Sequence, residues 1–193
     1  MAAEAVLPFR PQHGGRRAGA GRKPKNGQAG VAHVARAPLA ARFPAHVTLK
    51  LERGLPRLRN RSEYAVLREA FAAGCARGGF RLVHYAVLND HLHLVVEGSD
   101  RYHDRILKTP REVRNVLRYV LGNGKKHAAE GREIRVSAAI DTYTSAPWFD
   151  GFREVFRVRG LEAIVRPVTD ARTWMLTIGW RRHGLLSVHE LPA

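Results

Sequence analysis

Near its middle the chain runs Phe80-Arg-Leu-Val-His-Tyr-Ala-Val-Leu-Asn-Asp-His-Leu-His-Leu-Val-Val-Glu97. Two apolar runs flank Asn89-Asp90, a pair that tolerates left-handed backbone angles and so favours a tight turn. The stretch predicts a β-hairpin. Its second strand opens with His91-Leu92-His93. Side chains alternate across a strand, so both imidazoles share one face and Leu92 takes the other. Same-face imidazoles can share one divalent cation, because neutral histidine is the commonest metal ligand. The pattern is weak alone. The chain has ten histidines, and neighbouring strand histidines are more often ordinary surface or half-buried residues.

Working outward, His46-Val47-Thr48-Leu49-Lys50-Leu51 alternates as a strand should. Gly54-Leu55-Pro56 and the Arg-rich piece to Arg61 read as a loop, and Ser62 as the cap of a helix running to about Arg77. Gly78-Gly79 stops that helix, giving β-α-β-β. Downstream, residues 101–108 are a poorly patterned candidate strand. Thr109-Pro110-Arg111-Glu112 is a clear helix start, with a capping residue, proline at the first helical position and an acid one turn in. That helix runs to about Ala128, with Val113, Val116, Leu117, Val120 and Leu121 on its apolar side.

Another face of the same helix carries Tyr119, Asn123 and His127, and steps of four keep them on one drifting stripe. Gly122 and Gly124 bracket Asn123 and let a neighbour approach closely. A buried tyrosine satisfied by one hydrogen bond is the plain alternative for Tyr119. Residues 141–152 are aromatic and turn-rich and read as an irregular extension, while residues 172–184 offer one further strand. Trp174, Trp180 and Tyr143 suit either base stacking or a small core.

The 193 residues suit one domain with extensions. Lys and Arg outnumber Asp and Glu 33 to 17, a balance that points to nucleic acid first and an anionic membrane surface second. No apolar run approaches a membrane span, and the first residues lack the pattern of a signal peptide. Cys75 is the only cysteine, so neither a disulfide framework nor zinc-finger spacing exists. These features predict a cytoplasmic, nucleoid-associated protein. Residues 1–44 form a basic arm, read as disordered: eight Lys and Arg fall from Arg10 to Arg42, and Glu4 is the only acid. Arg16, Arg17, Arg22, Lys23 and Lys25 are its candidate DNA contacts. The piece Gly21-Arg22-Lys23-Pro24-Lys25 reads either as a minor-groove hook or as a tail that binds any phosphate backbone.

Taken in order, the Gly-Arg-Lys arm, the first strand, a helix, the hairpin with Asn89-Asp90-His91-Leu92-His93, and a helix bearing Tyr119-Val-Leu-Gly-Asn123 resemble one family. It is the single-tyrosine HUH transposases, in particular the REP-associated tyrosine transposase branch, and the similarity covers about residues 14–150. The resemblance implies an α+β, ferredoxin-like (RRM-like) antiparallel sheet with helices on one face, on residues 45–128. It implies that His91 and His93 hold Mg²⁺ or Mn²⁺ and that Tyr119 is the nucleophile on single-stranded DNA. The products would be a 5′-phosphotyrosine and a free 3′-hydroxyl. Asn123 would assist the metal, Arg118 or Lys125 would ease phenolate formation, and DNA with hairpins or repeats would be the partner. Tyr85 and Tyr102 are the other tyrosines considered as nucleophiles.

The chain departs from the family after the His-Leu-His strand, where members carry a second crossover helix. Here only Gly98 to about Arg101 fills the gap, and a parallel crossover needs about a dozen residues. The sheet is therefore expected to be incomplete. A hairpin after Ser99, an exposed apolar face, or a second copy supplying the missing part as a homodimer are the three outcomes. Two functions follow: a metal-dependent DNA-cleaving and rejoining transposase, or a nucleic-acid-binding remnant without turnover. Residues 129–193 are a C-terminal extension with no role assigned by the sequence.

Overall fold

The computed structural model describes residues 42–77, 81–98, 105–131 and 140–192. The basic arm, with Arg16, Arg17, Arg22, Lys23 and Lys25, and the tyrosine at 102 lie outside them. The elements that position the site are β1 (Ala45–Lys50), α1 (Arg61–Ala76), β2 (Arg81–Val87), β3 (His91–Glu97), β4 (Arg105–Ile106) and α2 (Pro110–Ala129). The fold is α+β. Its four strands make an antiparallel sheet in the order β2-β3-β1-β4.

The hairpin forms where the sequence places it, β2 and β3 pairing from Arg81↔Glu97 to Val87↔Leu92, with Leu88 N donating to His91 O across the turn. One irregularity falls between Leu82 and His84. Such a bulge puts one extra residue into β2 and shifts which side chains share a face. Leu82, Tyr85 and Val87 pack on one side, whereas Val83 and Ala86 pack on the other.

The two long helices lie on opposite faces of the sheet, which corrects the expectation of helices on one face. Tyr64, Leu67, Phe71 and Cys75 of α1 pack with Leu82, Tyr85, Val87, Leu92, Leu94 and Val96. Val113, Val116, Leu117, Val120 and Leu121 of α2 pack instead with Val83, Ala86 and Val95. The reason is the alternation itself: β3 is apolar at Leu92, Leu94 and Val96 on one side and at Val95 on the other, so both faces need a cover.

The short link after β3 suffices because β4 is so brief. It pairs only with the first residues of β1, Ala45↔Ile106 and His46↔Arg105, close to where β3 ends at Val96↔Ala45. The chain has two strand spacings to cross, about 10 Å. Residues 98–104 can reach about 23 Å when extended. No crossover helix lies among the described residues between β3 and β4, and Leu49 on the α1 side of β1 stays 47% exposed.

Both helix starts are chemically defined. Asn60, not Ser62, caps α1: its Oδ1 accepts from Ser62 N and Glu63 N, and Ser62 falls inside the first turn. Thr109 and Glu112 form a capping box on α2 with Pro110 just inside. Residues 140–192 belong to the same compact unit as the sheet. Ile140, Phe149, Met175, Leu176, Trp180, Leu186 and Val188 close the α2-side core. The expected late strand is a short helix, α3 (Trp174–Thr177), followed by a 3-10 turn. Trp180 is buried core, its Nε1–H donating to Leu176 O. Tyr143, Ser145 and Thr169 cover the outer side of β2, where Val87 N donates to Tyr143 O, Ser145 N donates to Tyr85 O and Thr169 N donates to Leu82 O. That edge is thereby protected from pairing with another chain.

Candidate functional site

Three elements converge on the α2 side of the sheet. Strand pairing sets Thr48 of β1 opposite His93 of β3, and Lys50 opposite His91. His46, two residues from Thr48, shares its face. Helix α2 crosses this face with Tyr119 turned onto the strands.

His93 is the hub. Its Nε2 lies 3.2 Å from Tyr119 Oη, and its Nδ1 lies 3.2 Å from both His46 Nε2 and Thr48 Oγ1. A phenol donating to Nε2 requires the ring proton on Nδ1, where Thr48 Oγ1 and His46 Nε2 are both acceptors. Burial, then the nearby imidazoles of His46, His91 and His127, push the His93 pKa down to about 3. The ring is therefore neutral at neutral pH, the form that binds metals.

His91 is held differently. Its Nδ1 lies 2.7 Å from Asp90 Oδ1, and this hydrogen bond lowers the Asp90 carboxyl pKa. An ionised carboxylate taking the Nδ1 proton leaves Nε2 as the lone pair of the neutral ring, as in carboxylate–histidine metal sites. The His91 ring centroid is 4.9 Å from that of His93 and 6.2 Å from that of His127.

Asn123 sits one turn beyond Tyr119, fully buried, with neither Nδ2 nor Oδ1 in a hydrogen bond. An unsatisfied buried amide costs about 1–3 kcal/mol. The glycines beside it explain how it is enclosed. A Cβ on Gly124 would lie 1.8 Å from Asp141 Oδ2, and one on Gly122 would lie 3.0 Å from the Pro192 ring. Asp141 in turn holds Arg59 through paired contacts of 2.8 and 2.9 Å, both side chains nearly fully buried. Arg59 also donates to Val87 O at the end of β2. This ion pair fastens the His91 hairpin to the back of α2.

Among the described residues, no three His, Cys, Asp or Glu side chains form a group able to hold a metal ion. The donors that meet are the imidazoles of His91 and His93. A neutral His93 ring and, one turn along α2 from Tyr119, the buried and unsatisfied Asn123 amide are groups whose chemistry suits a small dication.

A groove of about 410 Å³ opens beside the pair, lined by His46, Thr48, His93, Tyr119, Arg105 and Arg118 among others. Arg118, expected to assist the phenol, lines it while donating to Glu190 at 3.2 Å. Lys125, the other expected assistant, donates to Val188 O instead, and burial lowers its pKa. Tyr85 is on the opposite face, bonded to Tyr64 Oη at 2.9 Å, and burial raises its pKa. It is no nucleophile.

The structure thus brings His91, His93 and Tyr119 together and adds His46 and Thr48, which sequence reasoning did not single out. Their signal was their alternate spacing within the predicted first strand, the same cue that placed His91 and His93 on one face. No family model matches the chain, and neither a curated protein nor a solved structure matches it.

Proposed function

We propose that this chain is a DNA-processing protein of the single-tyrosine HUH type, which cleaves and rejoins single-stranded DNA through Tyr119. The observation that carries the reading is the contact between Tyr119 Oη and His93 Nε2, which pairs a nucleophile with a metal-competent imidazole. The strand order β4-β1-β3-β2, antiparallel throughout, supports a ferredoxin-like sheet, with no second crossover helix among the described residues. Helix α2 then follows β4 as an added element on the opposite face. The excess of Lys and Arg, 33 against 17, supports a nucleic-acid partner.

In this mechanism the Tyr119 oxygen bonds to the scissile phosphorus and the P–O3′ bond breaks. The phenol gives up its proton and the 3′ oxygen gains one. A 5′-phosphotyrosine keeps the phosphodiester energy, so a later 3′-hydroxyl can reverse the step. His91 and His93, with the Asn123 amide assisting, would hold Mg²⁺ or Mn²⁺, which would supply Lewis-acid stabilisation of charge on the phosphate. Before a cation takes its Nε2, His93 orients the phenol; Thr48 and His46 hold the His93 ring, and Asp90 holds that of His91. Arg118 lines the same groove and places a positive charge where the phosphate would sit.

The test is a denaturing gel after incubation with labelled single-stranded hairpin DNA and Mn²⁺. The reading expects a metal-dependent slow band that Tyr119→Phe and His93→Ala both abolish. DNA binding without any such band, by a folded sample, leaves the remnant instead; the two-residue fourth strand is the observation that favours it.

A further inference from the structure

We propose that the groove beside Tyr119 seats one nucleotide of the single strand, with Asn115 reading its base and Arg105 and Arg118 holding the flanking phosphates. This rests on the single-strand reading above and assigns the residues that would select the sequence.

The groove's volume, about 410 Å³, falls within the range of small-ligand sites, about 300–1,000 Å³. Tyr119 and His93 are both in its lining, so its occupant would lie next to the reacting phosphorus. Asn115 stands on α2 one turn before Tyr119, exposed, on the same flank, and lines the groove. An amide presents a donor and an acceptor together, the combination that reads the edge of a base. Val116 supplies an apolar wall.

The charges favour a phosphate. Glu190 lies between two guanidiniums, 3.0 Å from Arg114 and 3.2 Å from Arg118, so the triad keeps one positive charge. Arg118 Nε–H is buried and has no acceptor. Glu112, the acid in the lining, accepts from Lys108 N and Thr109 N at the helix start and is 3.7 Å from the exposed Arg105. Neither arginine is locked into a tight bidentate pair.

The experiment uses the full chain carrying Tyr119→Phe, so that binding is read without turnover. Fluorescence anisotropy follows labelled hairpins whose single-stranded tails carry each of the four bases at each position, over a range of salt. One tail position is expected to discriminate bases by roughly fivefold or more. Adding Asn115→Ala, at an exposed position, is expected to bring the preferred tail down to the affinity of the other three. Arg105→Ala and Arg118→Ala weaken all tails alike and each reduce the salt slope by about 0.7. Equal binding of all four bases at every position overturns the proposal, as does a preference that survives Asn115→Ala. A base preference lost in Asn115→Ala, in a protein that forms no covalent adduct, retains the groove and removes the chemistry.

Discussion

Tyr119 Oη lies 3.2 Å from His93 Nε2 although 26 residues separate them in the chain. A ring nitrogen has one lone pair in its plane, so Nε2 serves either the phenol or a cation at any moment. Tyr119→Phe should therefore leave Mn²⁺ binding intact or strengthened, while costing about 0.5–1.5 kcal/mol of stability for the lost hydrogen bond. Calorimetric titration and urea denaturation measure the two. A large loss of metal affinity in Tyr119→Phe would show that the phenol is itself a ligand.

Asn123→Leu separates stability from function. It removes a buried amide that has no partner, and such changes are neutral or stabilising. The melting temperature should hold or rise while Mn²⁺ affinity falls tenfold or more, about 1.4 kcal/mol. A strongly destabilised variant with unchanged metal affinity would place Asn123 in the packing alone.

The glycines make a paired comparison. Gly124→Ala drives a methyl group against Asp141 and disturbs its buried pair with Arg59. The expected loss is about 3 kcal/mol. Gly74 in α1 has nothing within 4 Å of an added Cβ, so Gly74→Ala should stabilise by about 0.5–1 kcal/mol. Denaturation midpoints of the two variants, expected to move in opposite directions, check the close approach at α2.

Much of this site is legible in sequence because its cues are local. The Asn89-Asp90 turn fixes the hairpin, strand alternation fixes the common face of His91 and His93, and Thr109-Pro110 with Glu112 fixes the start of α2. What is missed depends on distant pairing. His46 reaches His93 across 47 residues and Arg59 reaches Asp141 across 82, and no local pattern carries a strand register. The bulge at Leu82/His84 and the placing of α2 opposite α1 follow from how two apolar faces are covered. The Ser62 error is a smaller matter: Asn60 is an equally good cap, two residues earlier.

Acid should weaken the fold before carboxylates protonate. His84 is buried, with Nδ1 3.2 Å from Ser145 Oγ, and burial, outweighing Asp150, lowers its pKa to about 4. The unfolded chain, with histidine near 6.5, binds the proton first. Stability is thus full above about pH 6.5 and is lost as pH falls toward 4. Urea midpoints measured from pH 7.5 to 4 should decline, and His84→Asn should reduce that decline by the His84 share, leaving the part that His93 contributes. An unchanged slope in the variant would assign the acid sensitivity elsewhere.

Peptide mass spectrometry decides whether Tyr119 is the residue joined to DNA. The full chain is incubated with Mn²⁺ and a single-stranded hairpin, treated with nuclease, and digested with trypsin. Cleavage after Arg118 and Lys125 releases Tyr119–Lys125. This peptide is expected to carry the mass of a 5′-phosphorylated nucleotide on Tyr119. The mass on another residue, or no adduct at all from a folded, DNA-binding sample, contradicts it.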